Sequence, residues 1–356
     1  MKAKIVKQNV GIDMAKDDFK ACIKQRQDDG HISVKASRTF KNTLAGYKAF
    51  IAWVLSKSCK ELPVSFSMEA TGTYHENLTH FLYDLKYEVH VLLAQQVKNY
   101  SKSLNVKTKT DDSDSQSIAQ MGLERNLKPW KPFSPNLRTL KLFTRERTTM
   151  LKEKTALSNK LHAYNHSYCP DKDVIKLTKE RIALIDKQLP RIEAKIKQAI
   201  KEDSLLKERV QKVCTVRGLG LTSVAIIVAE TNGFEHFTSK SQLTSYAGYD
   251  IVERKSGTSI HGKSRISKKG NAHIRMALHF PALTAIQHEP AFKAVFDRIF
   301  ERSKIKMKGV VAVQRKLLLM AYTLFKNNIA FDPNYHKNLN AEKENSRQDV
   351  SPAYAE

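Results

Sequence analysis

Hydrophobic and polar positions along residues 1–125 follow a strand-like period first and then alternate between helix and strand. Ile5–Asp13, Phe19–Lys24 and Ile32–Phe40 read as strands, with Asp28-Asp29-Gly30 as turn chemistry between the last two. Asn42 and Thr43 are placed to cap a helix running to about Ser58, whose apolar face is Leu44, Tyr47, Phe50, Ile51 and Val54. Pro63 opens a short run, Val64–Met68, suited to a buried strand. A helix over His75–Leu85, a strand over Glu88–Leu93, a polar stretch Lys98–Thr110 and a helix over Asp111–Leu123 complete the region. Three strands, helix, strand, helix, strand, helix is the order of an RNase H-like domain.

Pro129, Pro132 and Pro135 mark a boundary. Residues 136–208 read as long helices. Within them Ile182, Ile185, Leu189, Ile192 and Ile196 step by 3, 4, 3 and 4, an a/d seam of two heptads. Pro190 lies inside the seam and predicts a kink or a break. An intramolecular hairpin and a dimer seam both satisfy the pattern. Residues 210–332 form a third, mostly helical unit, running from Val213–Glu230 to an apolar and basic helix over Val310–Phe325. The polar tail, 333–356, is expected to be disordered. The fold class is therefore α/β plus all-α.

Charge narrows the class of partner. The 356 residues carry 61 Lys and Arg against 36 Asp and Glu, a net charge of +25. With 41% apolar residues the chain builds real cores, so it is no basic tail, and the surplus favours a polyanion. An enzyme for small neutral metabolites has no need of it. Cys22, Cys59, Cys169 and Cys214 are scattered and form no CxxC pair, against both a zinc finger and a disulfide framework. The N-terminus has no signal-peptide pattern, and the longest apolar run, Val224–Ala229, is too short to span a bilayer. A cytoplasmic, nucleoid-associated protein without a membrane partner is expected.

Three short motifs can carry chemistry. Gly11-Ile12-Asp13 ends a strand, Glu69 lies just past another in Met68-Glu69-Ala70-Thr71-Gly72-Thr73-Tyr74, and Asp111 and Asp114 share one face at a helix start. Carboxylates at strand ends and on a neighbouring helix converge on one spot, where they repel unless cations sit among them. Hard oxygen ligands suit Mg²⁺ or Mn²⁺, and two such ions promote attack at phosphorus. Each acid alone also reads as a cap or turn residue; their joint placement in an RNase H-like order argues for the site. Asp17, Asp18 and Asp112 are left as surface or cap residues.

Basic residues cluster in two places. The span 254–275 holds Arg254, Lys255, Lys263, Arg265, Lys268, Lys269 and Arg275, seven positive charges in 22 residues with no acid. Such a segment neutralises phosphates and makes binding salt-dependent. The stretch 98–109 holds Lys98, Lys102, Lys107 and Lys109, with Tyr100 placed to stack on a base. Lys304, Lys306, Lys308, Arg315 and Lys316 add a third basic stretch. The turn Val216–Leu221 is similar to a helix-hairpin-helix, and an ordinary glycine turn fits it as well.

The motifs GIDMAK, MEATGTY and KTDDSD together resemble those of the DEDD-type, Piv-like insertion-sequence transposases, described as bridge-RNA-guided recombinases. The likeness continues through TVRGLGLTSVAIIVAE, Tyr246-Ala247-Gly248, Ser256-Gly257-Thr258-Ser259 and Ser264–Gly270, covering roughly residues 5–332. Tyr249-Asp250-Ile251 departs from the pattern, where family members often carry a proline. The resemblance implies a RuvC-like N-terminal domain, a helical coiled-coil insertion and a C-terminal transposase domain. It implies that Asp13, Glu69, Asp111 and Asp114 hold metal and that Ser256 attacks a DNA phosphate and holds the strand covalently. By composition alone Thr258, Ser259, Ser264 and Ser267 compete with Ser256. A serine in this role needs an activating neighbour, such as the metal site or Arg254, Lys255 and Lys263.

The partners implied are donor and target DNA and a guide (bridge) RNA, with a homodimer assembling to a tetramer on two duplexes. The chain shows no clear major-groove reader, which agrees with site choice by base pairing of a bound RNA. Two other readings remain open: a hydrolytic nuclease resembling a Holliday-junction resolvase, and a non-catalytic nucleic-acid-binding protein.

Overall fold

The computed structural model describes residues 4–105, 110–253, 255–256, 260–262 and 264–332. Of the residues singled out above, Lys107, Lys109, Arg254, Thr258, Ser259, Lys263 and the tail lie outside the described set; for Lys255 and Ser256 the backbone alone is described. Two compact units meet in sequence between Pro132 and Phe133, within the proline-bearing segment.

The first unit runs β1 (Ile5–Met14), β2 (Asp18–Gln27), β3 (Ile32–Lys41), α1 (Leu44–Lys57), β4 (Val64–Glu69), α2 (Glu76–Asp84), β5 (Glu88–Leu92), α3 (Ala94–Ser103) and α4 (Asp111–Glu124). The sheet order is β3-β2-β1-β4-β5; the first three strands are antiparallel, and β4 and β5 run parallel to β1. That topology agrees with the RNase H-like order expected above. One sheet face is covered by an aromatic core in which Phe19, Phe40, Phe50 and Trp53 pack ring against ring at 5.2–6.4 Å. On the other face α4 lies over β1 and β2.

The helix α3 corrects the expectation of a polar connector. Its three turns are amphipathic: Val97 and Tyr100 are buried with Ile118 and Met121, while Lys98 and Lys102, one turn apart, stay exposed. So few apolar positions gave the helix no legible period.

The second unit is mostly helical: α5 (Pro135–Asn165), α6 (Lys172–Glu202), α7 (Ser204–Val213), α8 (Leu221–Glu230), α9 (Lys240–Ala247), then the short strands β6 (Ile251–Val252), β7 (Lys255–Ser256), β8 (Ile260–His261) and β9 (Arg265–Ile266), and α10 (Ala272–Ala277), α11 (His279–His288), α12 (Pro290–Ser303) and α13 (Lys306–Asn327). The apolar α8 is buried at every residue from Val224 to Glu230 and forms the centre of an aliphatic core. α5 and α6 pack side by side, with Ile185 and Ile196 of the isoleucine seam buried. α6 runs through Pro190 without a break in its helical span, so of the kink or break expected there the break does not occur. All four cysteines are free thiols; burial pushes those of Cys22 and Cys214 up to about 11, which makes them inert at neutral pH. Among the described residues no helix is long and apolar enough to cross a membrane.

Candidate active site

Strand register sets two of the four acids side by side. β1 and β4 are parallel neighbours with Ile12 opposite Met68, so one further step places Asp13 beside Glu69 at the C-terminal ends of both strands. Ile12 and Met68 are buried on the aromatic face, which puts Asp13 and Glu69 on the face that α4 covers. Both acids are half-buried.

Contacts along the other face fix how α4 lies on the sheet. Lys7 Nζ donates to the Gly122 and Leu123 carbonyls at the C-terminal end of α4, at 2.9 and 3.2 Å. A Cβ on Gly122 would stand 2.4 Å from the Asn9 side chain, and one on Gly11 would stand 2.2 Å from Ala119 N and Ser115 O. As β1 advances from residue 7 to 11, its contacts on α4 retreat from 123 to 115. The helix therefore runs antiparallel to β1, and one more step brings Asp13 under the first turn of α4. That turn carries Asp111, exposed, and Asp114, half-buried.

Asp112 makes the last contact of the row. Its Oδ1 lies 3.1 Å from Lys20 Nζ and accepts a 3.0 Å hydrogen bond from Ser37 Oγ. Lys20 is the cross-strand partner of Asp13. The two bonds hold the Asp112 carboxyl below its ordinary range. Asp112 is an exposed residue, as expected, and it also docks α4 onto β2 and β3; the N-cap is Thr110, whose hydroxyl accepts from Ser113 N while its own N–H donates to Ser113 Oγ.

Of Asn42 and Thr43, both placed to cap α1, only Thr43 does so. The Asn42 amide donates to the carbonyls of Ala15, Lys16 and Tyr74 at 3.1–3.3 Å. It stitches the loop after β1 to the loop after β4, the two loops that follow Asp13 and Glu69. The backbone thus gathers all four acids at one sheet end. Their side chains are more dispersed: among the described residues no three His, Cys, Asp or Glu side chains are grouped to hold an ion. The donor set, all carboxylate, suits a hard divalent cation.

The second unit presents Ser256 on a hairpin. Ile251 pairs with Ile266 and Val252 with Arg265; further out, Lys255 pairs with His261 and Ser256 with Ile260. Arg265, at its return strand, and Lys268 and Lys269, just beyond it, are exposed. Arg275 differs: its Nη1 donates to the Ala247 carbonyl at 2.7 Å and clips α10 to α9.

Tyr100 corrects the expectation of base stacking. It is buried beneath α4, and its hydroxyl donates to Glu124 at 2.7 Å; burial and that bond raise its pKa. A ring enclosed in the core has no face left for a nucleobase. Sequence reasoning also passed over Glu230, whose carboxylate is wholly enclosed. The one signal was an acid closing the apolar run Val224–Ala229.

Comparison with known proteins places the chain. Residues 10–170 match the DEDD transposases of IS110, and residues 210–297 match the Transposase IS116/IS110/IS902 family. The chain is 29% identical to the pilin gene-inverting protein of Moraxella bovis over 336 residues, 93% of this chain and 99% of that one. It is 22% identical to a probable family 20 transposase of Pseudomonas aeruginosa over 247 residues, 61% of this chain and 69% of the other. Among solved structures it is similar to Thermus thermophilus RuvC in complex with a Holliday junction substrate, at 12% identity and a TM-score of 0.28, over 35% of this chain and all of that one. The two matched stretches and the near full-length relative agree: the chain is a transposase, a DNA-recombining enzyme of the IS116/IS110/IS902 family.

Proposed function

We propose that this transposase cuts and rejoins DNA with two sets of groups, the carboxylates Asp13, Glu69, Asp111 and Asp114 in the first unit and the Ser256 hydroxyl in the second. The observation that carries the reading is the strand-and-helix register that gathers the four acids at one sheet end. These acids would hold Mg²⁺ or Mn²⁺, which supplies positive charge against the phosphate under attack. Ser256 Oγ gives up its proton and attacks phosphorus, forming a phosphoserine ester as the bond to a deoxyribose oxygen breaks; that oxygen leaves as an alkoxide and takes up a proton to become a hydroxyl. Attack by a hydroxyl of the exchanged strand reverses the step and frees the serine. Lys255, Arg265, Lys268 and Lys269 flank Ser256 in sequence and supply charge toward the DNA backbone.

Two duplexes must be cut in one event, so a dimer assembling to a tetramer is the fitting functional unit. A bound guide RNA is proposed to choose the sites, in keeping with the large net positive charge and the exposed Lys98 and Lys102 on α3. The test uses purified protein, DNA carrying the element's ends and target, and the adjoining non-coding transcript. Parental protein forms a covalent protein–DNA species and junction products; Ser256→Ala forms neither. Covalent trapping by Ser256→Ala transfers the role to another hydroxyl. Site-specific joining without any RNA removes RNA from the reading. Metal-dependent cleavage that never passes through a covalent species favours a hydrolytic nuclease.

A further inference from the structure

The second unit encloses a carboxylate that the cleavage chemistry does not use. The Glu230 side chain has 0% exposure at the C-terminal end of α8. Arg145 of α5 grips it as a fork, Nε to Oε1 at 2.7 Å and Nη2 to Oε2 at 3.0 Å, and Lys141 Nζ stands 3.9 Å from Oε2. The Asn271 amide donates to Oε2 at 2.7 Å. Burial pushes the Glu230 carboxyl up, but Arg145, Asn271 and Lys141 outweigh it and hold the group ionised below its ordinary range. An ion pair this deep is weak support for stability as such, since an apolar pair of similar volume does as well.

What Glu230 holds, through its carboxylate on one side and its main-chain carbonyl on the other, is the root of the hairpin that carries Ser256. Asn271 is the N-cap of α10, its Oδ1 accepting from His273 N and Ile274 N, and its own backbone N–H donates to the Tyr246 carbonyl at 2.7 Å. Tyr246, at the end of α9, donates its hydroxyl to the Glu230 carbonyl at 2.9 Å. The hairpin leaves α9 at Gly248 and rejoins α10 at Asn271, so both of its ends are tied to Glu230, one through each bond. The root closes with Lys268 N to Gly248 O at 3.1 Å and Ser267 N to Asp250 O at 2.7 Å.

We propose that Glu230 is a positioning residue for strand cleavage: through Asn271 and Tyr246 it fixes the angle at which the Ser256 hairpin leaves the helical core. The proposal rests on the reading of Ser256 as nucleophile. A hairpin paired by a few bonds transmits any tilt at its root to its outer strands, and misplacement of about 1 Å at a reacting atom lowers rates by about a hundredfold.

Asn271→Asp separates positioning from folding. Aspartate caps α10 as well as asparagine does but sets a second carboxylate against Glu230. The companion double variant, Glu230→Gln with Asn271→Asp, exchanges amide and carboxylate across the same contact. Each full-length variant is incubated with a plasmid bearing the whole element and its transcript, and is scored for melting temperature, DNA retention and the rate of covalent adduct formation at saturating DNA. Asn271→Asp is expected to keep melting and retention while the adduct rate falls about tenfold or more, and the double variant to recover most of the rate. A parental adduct rate in Asn271→Asp, or a loss that tracks DNA retention, overturns the proposal. Peptide mapping of the parental adduct keeps the two claims apart. An adduct outside residues 248–270 overturns the serine reading and this proposal together; one on Ser256 with no effect of Asn271→Asp overturns this proposal alone.

Discussion

The two units treat their acids in opposite ways. In the first, Asp13, Glu69 and Asp114 are half-buried and Asp111 is exposed, all at the rim of a sheet where solvent reaches them. In the second, Glu230 is sealed beneath α5, α9 and α10 and neutralised by a guanidinium. The cores differ in the same sense: stacked aromatic rings under the sheet, aliphatic side chains around α8. An acid proposed to take a cation from solvent is best placed at a wet edge, because full burial adds the cost of desolvating its charge. An acid meant to hold chain segments together is better dry, where its hydrogen bonds are not shared with water.

The largest expected effect tests the wet site. Asp13→Asn removes one carboxylate of the proposed metal site without changing shape, and strand cleavage is expected to fall about a thousandfold or more while DNA retention on a filter persists. Cleavage at the parental rate would place the chemistry elsewhere.

Gly11→Ala comes next and acts on geometry. A Cβ there meets backbone atoms of Ala119 and Ser115 at 2.2 Å, and backbone cannot step aside as a side-chain tip does. Unfolding of the first unit in denaturant should ease by about 3 kcal/mol, with cleavage lost as α4 is pushed away. Unchanged stability would mean that α4 is not seated as described.

Acid titration sharpens the contrast from the other side. The folded pKa of Glu230 lies below its unfolded value, so between the two the unfolded chain binds more protons and stability rises with pH. The contribution is complete above the ordinary carboxylate pKa of about 4.3 and is lost as pH falls through the lower folded value. Thermal melting followed below about pH 5 should show this loss for the parental protein and a shallower slope for Glu230→Gln. Identical slopes would show that the buried pair is not linked to unfolding.

Two smaller effects complete the set. Tyr100→Phe breaks one hydrogen bond to Glu124, and stability should drop by about 1 kcal/mol with nucleic-acid affinity unchanged. A drop in affinity alone would return Tyr100 to the surface. Asp112→Ala removes an exposed ion pair to Lys20, and the effect on melting should be no more than about 0.5 kcal/mol, shrinking further as salt is added.

Much of the first unit was legible because its signals are local. The strands alternate or are continuously apolar, each acid of the proposed site ends a strand or begins a helix, and Thr43 is an ordinary cap. What stayed hidden was non-local or short. The partners of Glu230 lie 85 and 41 residues away in sequence, and nothing beside Arg145 or Asn271 announces them. Asn42 passed for a cap because its three acceptors come from two distant loops. Pro190 is tolerated where the local pattern forbids it, since a helix of 31 residues packed along α5 gains more from continuing than one lost hydrogen bond takes away.

The close seat of α4 on β1 has a mechanical consequence. Between Gly11 and the helix there is no layer of side chains; strand and helix meet main chain to main chain. Layers of side chains are the compliant springs of a protein, absorbing substitutions by hopping between rotamers, and here that spring is missing. The spacing between the strand-end acids and the first turn of the helix is therefore decoupled from the repacking of the aromatic core on the far side of the sheet. Sequence drift at Phe19, Phe40, Phe50 or Trp53 can soften the unit as a whole while leaving the gauge of its rim unaltered.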